Sequence, residues 1–346
     1  MKECINYVKI KDDILQCQNC SHFCHIPEGN TGICGIRKNI KGKLYLLAYG
    51  RAIAANIDPI EKKPLYHFYP DSEAYSFGTL GCNFSCGNCQ NFDISQMFGQ
   101  KRKAEKYGSL EWGYPLSPEK IVKEAKANNC KIIAFTYNEP TIWVEYALDT
   151  MKIAKKEGLK NVWVSNGFMS PKTLDAVIPY LDAINVDIKS LDNEFYRKNC
   201  AAKIDPILEN CKTIIKKNVW LEITTLIIPG MSDSEEMLKR IARFIKNELG
   251  DHIPWHITAF FGTISWKLKN VPSTTKEKIR RAYKIGKEEG LKYVYAGNII
   301  DIDNDMEDTF CPKCGFKVID RTGYDVEKIE GKGECPKCGT VIKGRF

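Results

Sequence analysis

Leu80-Gly81-Cys82-Asn83-Phe84-Ser85-Cys86-Gly87-Asn88-Cys89-Gln90-Asn91 holds three cysteines in the spacing Cys82-x3-Cys86-x2-Cys89. One tight loop therefore supplies three thiolates. A filled four-iron cluster takes four cysteines, and a structural tetrahedral zinc site also takes four protein ligands, so three thiolates leave one iron open to a ligand that is not protein. An open coordination position suits chemistry rather than scaffolding. A partial zinc site and unrelated cysteines are the alternatives; the place of the loop at the head of a β/α pattern argues against both.

Outward from the loop, short β-branched or aromatic runs alternate with amphipathic lysine- and glutamate-rich segments, the pattern of repeated β/α units on a parallel sheet. Strands are expected at 74–79, 131–136, 161–165, 183–187, 219–227 and 255–260. Helices are expected at 118–129, 142–157, 171–180, 204–217 and 233–249, with a further helix at 274–287 and strand at 292–295. Ser117-Pro118 and Ser170-Pro171 place an N-cap before a proline at the first helical position. Six units fall short of the eight of a closed barrel, so the fold class is α/β, a partial (β/α)6 TIM-type barrel. It should occupy residues 71–300, after a cysteine-rich metal-binding segment and lead-in at 1–70 and before a small ribbon-like domain at 301–346.

In parallel barrels, functional groups gather where strands end. The exits here are polar: Tyr137-Asn138-Glu139-Pro140, Asn166-Gly167 and Asp187-Ile188-Lys189. Glu139 is placed to accept hydrogen bonds from an ammonium group, or simply to sit at the positive end of a helix. Asn166-Gly167 allows close backbone approach to a ligand and is also an ordinary turn pair. Asp187 and Lys189, two apart on a strand end, share one face; inside a barrel they need partners, a ligand or each other. His256, at the start of the sixth strand, is a further candidate contact.

Two more cysteine groups flank the barrel. Cys17-x2-Cys20-x3-Cys24-x9-Cys34 lies in a glycine-rich stretch short of apolar residues, where metal is expected to replace a core. Zinc or a second iron–sulfur cluster would suit it, and His22 and His25 also allow a mixed zinc site. Cys311-x2-Cys314-x20-Cys335-x2-Cys338, written twice as Cys-Pro-Lys-Cys-Gly, reads as two knuckles on one ion, a zinc ribbon or a rubredoxin-like iron able to pass electrons to the central cluster. Cys4, Cys130, Cys200 and Cys211 remain and are assigned no role.

Clustered cysteines without an export signal point to reduced thiols and a cytoplasmic location. Hydrophobic content of 43% with 27% charged residues is ordinary for a globular chain, and no apolar run approaches the roughly 20 residues of a membrane span. A net charge of +8 is spread over lysine-rich helices with no arginine block, which argues against nucleic acid as partner.

With these residues, and with Gly50, Asp58-Pro59-Ile60-Glu61-Lys62-Lys63-Pro64-Leu65-Tyr66-His67-Phe68 and the terminal cysteine pairs, the chain resembles the radical S-adenosylmethionine (SAM) enzymes. The resemblance is to the pyruvate formate-lyase activating enzyme group, and within it to the AmmeMemoRadiSam-system branch. It implies a [4Fe–4S] cluster on Cys82, Cys86 and Cys89 whose open iron chelates SAM. Asn138, Glu139, Asn166, Asp187, Lys189 and His256 are then SAM-side contacts, Glu139 toward the amine. An electron from a low-potential donor would cleave SAM to methionine and a 5′-deoxyadenosyl radical that abstracts hydrogen from a small-molecule, lipid or protein substrate. Asn88 stands where the family usually has an aromatic residue, and Tyr137-Asn138 where two glycines are common. Two other functions remain: activation of a glycyl-radical enzyme, and a metal-binding adaptor or electron-transfer module without SAM turnover.

Overall fold

The computed structural model describes residues 1–11, 13–97, 113–299 and 304–346. The expected boundary at 300/301 lies outside the described residues. Its centre is one eight-stranded sheet: β1 (Ala54–Pro59), β2 (Glu73–Gly78), β3 (Ile132–Phe135), β4 (Lys160–Ser165), β5 (Ala183–Asp187), β6 (Trp220–Ile227), β7 (Trp255–Ala259) and β8 (Val294–Gly297). Spatial order follows chain order, and β2 to β8 are parallel throughout. Among the described residues β1 and β8 have no sheet partner on their outer sides, so the barrel is partial.

Helices α1 (Pro118–Ala127), α2 (Val144–Lys156), α3 (Pro171–Val177), α4 (Asp205–Lys216), α5 (Glu235–Phe244) and α6 (Lys276–Glu288) each cross between successive parallel strands from β2 onward. Strand β3, Ile-Ile-Ala-Phe, is buried at every position, as a strand covered on both faces must be. Phe135 lies in register with Phe77 and Trp163, and these rings pack with Trp143 into the core beneath the helices. Ser117 and Ser170 cap α1 and α3 by accepting the N–H groups of Lys120 and Thr173, ahead of Pro118 and Pro171 as their spacing predicts.

Two features depart from the sequence reading. The sheet begins earlier, because β1 pairs antiparallel with β2 from Ala54↔Gly78 to Pro59↔Glu73. The N-terminal segment is also not coreless. Leu15, Ile26, Ile36, Leu44 and Leu46 are fully buried and join the same apolar core as Trp143 and Tyr146. Their spacing hid this, since each contributes one apolar side chain to a surface supplied mostly by the barrel.

The C-terminal residues form a three-stranded antiparallel unit from β9 (Thr309–Phe310), β10 (Lys317–Thr322) and β11 (Asp325–Ile329). Arg321 anchors it. Fully buried, it donates to the Tyr66 carbonyl at 2.8 Å and to Thr309 Oγ1 at 2.8 Å, with its guanidinium 4.4 Å from the centre of the Tyr66 ring.

Candidate active site

Strand β2 ends at Gly78, and the cysteine loop follows it into a cavity of about 580 Å³. Cys82, Cys86, Cys89, Glu139, Asn138, Asn166, Asp187, Lys189 and His256 all line this cavity, so the fold brings together every residue expected at the central site. Two outside segments grip the loop. Ser85 and Gly87 donate backbone N–H groups to the carbonyls of Cys200 and Asn199, at 3.0 Å each. On the other side Trp266 donates to the Cys89 carbonyl at 3.1 Å and Lys267 to that of Gly87 at 2.8 Å.

Asn138 ties the strand ends to the loop: its amide donates to the Gly81 carbonyl at 2.9 Å while its Oδ1 accepts from Thr79 N–H at 3.1 Å and Trp143 Nε1 at 3.2 Å. Asn166 reaches from the β4 exit to Asn83 Oδ1 at 2.8 Å. Glu139 is nearly inaccessible and brackets two strand exits. Its carboxylate accepts from the Thr141 N–H and hydroxyl at 3.0 and 2.5 Å, Ser165 Oγ at 2.8 Å and Asn166 N–H at 2.7 Å. Burial still pushes its pKa up against those four donors.

Asp187 and Lys189 do share a face and pair at 2.6 Å. Burial alone would lower the Lys189 ammonium, but Asp187 and the thiols of Cys86 and Cys200 raise it overall, which leaves a fixed positive charge at the loop. Burial raises Cys82 and Cys89, with Glu139 adding to the effect at Cys82. Cys86 is raised first by a hydrogen bond with the Cys200 thiol and then by burial. Thiols bind metal as thiolates, so loading this loop would release their protons to solvent.

His256 is bound elsewhere than expected: its Nε2 lies 2.6 Å from Glu222, which also accepts the N–H groups of Tyr66 and His67 and the Trp220 indole. Burial raises that carboxylate, yet His256 and His67 hold it below its ordinary value. His256 thus presents a ring edge to the cavity from inside a structural network.

Two contributors were not expected. Cys200, separated widely in sequence, lies against Cys86, and only the tertiary fold could show it. The same cavity is also walled by Glu61, Lys62, Lys63, Pro64 and Tyr66, with Tyr137 and with Tyr324 from the C-terminal unit. The run Asp58–Phe68 was visible in the sequence; its place was not, because nothing local says that a chain entering from β1 will fold across the barrel mouth.

The residues present fit a cluster with an added ligand. Three thiols converge from one loop beside Lys189, and two buried polar groups in this region, Asn83 Nδ2 and the Thr224 hydroxyl, have no hydrogen-bond partner. Of the outer groups, Cys311, Cys314, Cys335 and Cys338 have all four sulfurs within 4.8 Å of one another, with Cys311–Cys338 and Cys314–Cys335 at 3.6 Å. Two sulfurs each about 2.3 Å from one tetrahedral ion stand about 3.8 Å apart, so this quartet has single-ion geometry. Cys17, Cys20, Cys24 and Cys34 do not close to that spacing. His22 bonds the Asn83 carbonyl at 2.8 Å and His25 pairs with Gln16 at 3.2 Å, so neither histidine is committed to that quartet.

Residues 77–245 match the Radical SAM superfamily. Over 339 residues the chain is 40% identical to an uncharacterized protein of Methanocaldococcus jannaschii, covering 98% of this chain and 97% of that one. It is 23% identical to the pyruvate formate-lyase 1-activating enzyme of Escherichia coli K12 over 232 residues, 62% of this chain and 89% of that enzyme. In structure it is similar to Streptococcus suis SuiB bound to S-adenosylmethionine, with a TM-score of 0.50 and 13% identity over 70% of this chain and 53% of that one, a likeness of fold. The loop, the partial barrel around it and these matches establish one conclusion: the chain belongs to the radical SAM superfamily of enzymes.

Proposed function

We propose that this enzyme cleaves SAM reductively at a [4Fe–4S] cluster held by Cys82, Cys86 and Cys89, and abstracts hydrogen from a small polar substrate bound against the wall formed by residues 61–66. The observation that carries this reading is one cavity lined both by the three thiols and by Lys62, Lys63, Tyr137 and Tyr324. When bound, the cluster supplies the electron that breaks SAM into methionine and a 5′-deoxyadenosyl radical. The chain's own residues orient and enclose. Lys189 would balance thiolate charge, Asn138 and Asn166 fix the loop, and the β3 and β4 exits would supply the polar groups that hold the bound cofactor. Glu139 retains an acceptor direction on the oxygen that takes only the Asn166 N–H, which suits the SAM amine. The barrel's apolar floor keeps water from the radical.

The surface met by a substrate there is polar, with the heads of Lys62, Lys63 and Tyr137 engaged by Asp58 and with Glu61 and Tyr324 beside them, which favours a polar molecule over a lipid chain. A second reading, activation of a glycyl-radical enzyme, is favoured by the similarity to the activating enzyme of Escherichia coli. In both readings the N-terminal segment, barrel and C-terminal ribbon act as three parts of one enzyme in the cytoplasm.

The test is anaerobic. Reconstituted protein reduced with dithionite in the presence of SAM should form 5′-deoxyadenosine, and Cys86→Ala should form none. Unchanged cleavage by the purified variant rejects the assignment. Glu139→Gln should weaken SAM binding at constant iron content; equal affinity removes Glu139 from the amine contact. Product formation that appears only with a large protein partner, and leaves a persistent glycyl radical on it, would select the second reading.

A further inference from the structure

The N-terminal quartet is built against the cysteine loop. Cys17 closes the strand Ile14–Cys17 and donates its N–H to the Cys24 carbonyl at 2.9 Å, while Cys20 bridges to Met169 after the β4 exit. Gly32, in the turn before Cys34, has its α-carbon so placed that a Cβ there would lie 3.7 Å from Cys24 Sγ. Cys20 opens the turn in which the Phe23 N–H returns to its carbonyl at 3.2 Å, and Cys34 sits in the turn in which the Gly35 N–H returns to the Gly32 carbonyl at 2.9 Å, so the four cysteines lie on adjoining turns. No three of their thiols close to within 4.8 Å of one another, and neither do the three of the central loop, whereas the ribbon quartet does. A cluster places a separate iron under each thiolate and so needs the wider spread.

Two contacts join this quartet to the central loop. The Cys34 carbonyl packs so closely on Gly81 that a Cβ there would meet it at 2.4 Å, and Gly81 precedes Cys82. His22, between Cys20 and Cys24, bonds the Asn83 carbonyl at 2.8 Å and packs on Phe84 and Phe168. On the outer side Cys24 is partly accessible, and its neighbour Phe23 and Ile33 beside Cys34 are exposed. The ribbon quartet packs elsewhere, on Tyr66, Tyr293 and Tyr295.

We propose that Cys17, Cys20, Cys24 and Cys34 hold a second four-iron cluster, through which a low-potential one-electron donor protein reduces the central cluster. This rests on Cys82, Cys86 and Cys89 holding the central one. In the relay step the donor loses one electron, the N-terminal cluster gains and passes it, and the central cluster is reduced by one; no bond forms or breaks and no proton moves. The electron enters on the N-terminal side, and the ribbon ion stands outside the path.

Iron, acid-labile sulfide and zinc are counted on the full chain after anaerobic reconstitution, and the dithionite-reduced protein is examined by electron paramagnetic resonance with and without SAM. Two clusters give about eight sulfides per chain, and Cys20→Ser/Cys24→Ser and Cys86→Ala each retain about four. The reduced wild type should show two signals, only one of them changed by SAM. Wild type with about four sulfides and with zinc at the N-terminal quartet overturns the inference while leaving the central cluster standing. Loss of no sulfide in Cys86→Ala would instead strike the central assignment. For the relay, the ratio of donor-driven to dithionite-driven 5′-deoxyadenosine formation should fall by an order of magnitude in Cys20→Ser/Cys24→Ser; an unchanged ratio refutes it. The wild-type sulfide count and signals decide the cluster even if that variant folds poorly.

Discussion

Asp58 takes three donors at once: Lys62 Nζ at 2.7 Å, Lys63 Nζ at 2.6 Å and the Tyr137 hydroxyl at 2.7 Å. Burial raises this carboxylate, but the three partners together hold it well below its ordinary value of 3.8. Lys63 is itself almost wholly buried, and burial brings its ammonium down to about 8 despite Asp58. The geometry favours a charged pair at neutral pH, since both oxygens of Asp58 are engaged. Asp58→Asn leaves Lys63 buried and unpaired and should cost about 3–5 kcal/mol at pH 7 by urea denaturation. A native value below the unfolded one means that the contribution is complete above 3.8 and fades as pH falls through the native value. The gap between wild type and Asp58→Asn should therefore be smaller at pH 3 than at pH 7; a gap that widens on acidification would show that Asp58 is not stabilised as the anion. At this scale the cysteine loop was legible because its ligand spacing is local. Cys200 and the crossing of Asp58 under Tyr137 were not, because those partners meet only after the chain has folded.

Between elements, one of the two contacts that join the N-terminal segment to the loop is made at a glycine. Gly81 has φ +84°, a conformation side chains with a Cβ adopt at a cost, and the Cys34 carbonyl fills the place a Cβ would take. Gly81→Ala should destabilise the fold by about 1–3 kcal/mol and push the N-terminal hairpins off the loop. Hydrogen exchange checks this: residues 17–34 should lose protection in the variant while β4 to β7 keep theirs, and uniform exchange across both regions would count against a local join. The β/α alternation was readable because parallel strands covered on both faces are apolar runs and their helices are amphipathic. Strand β1 was missed because Ala-Ala-Asn-Ile-Asp-Pro carries little apolar signal, as an edge strand exposed on one side can.

Across the whole molecule, the ribbon reaches the cavity. Arg321 holds the Tyr66 carbonyl and lies 3.8 Å from Glu61, and Tyr324 lines the same cavity, so the ribbon packs directly on residues 61–66 of the site. In Cys314→Ser, residues 60–68 should exchange amide hydrogens faster and the substrate wall should loosen, while iron at the central loop is retained. Unchanged exchange at 60–68 would show that the ribbon is an independent appendage. The sequence by itself determined the three-thiolate spacing of the loop, the order of the β/α units and the pairing of the ribbon cysteines, because each rests on spacing between near neighbours. Only the tertiary structure decided which cysteine group adjoins the loop, what else lines its cavity, and that Glu139 and His256 are held in hydrogen-bond networks. Those are meetings of distant segments, and their geometry is set by how the covering helices and the N- and C-terminal units pack around one open sheet.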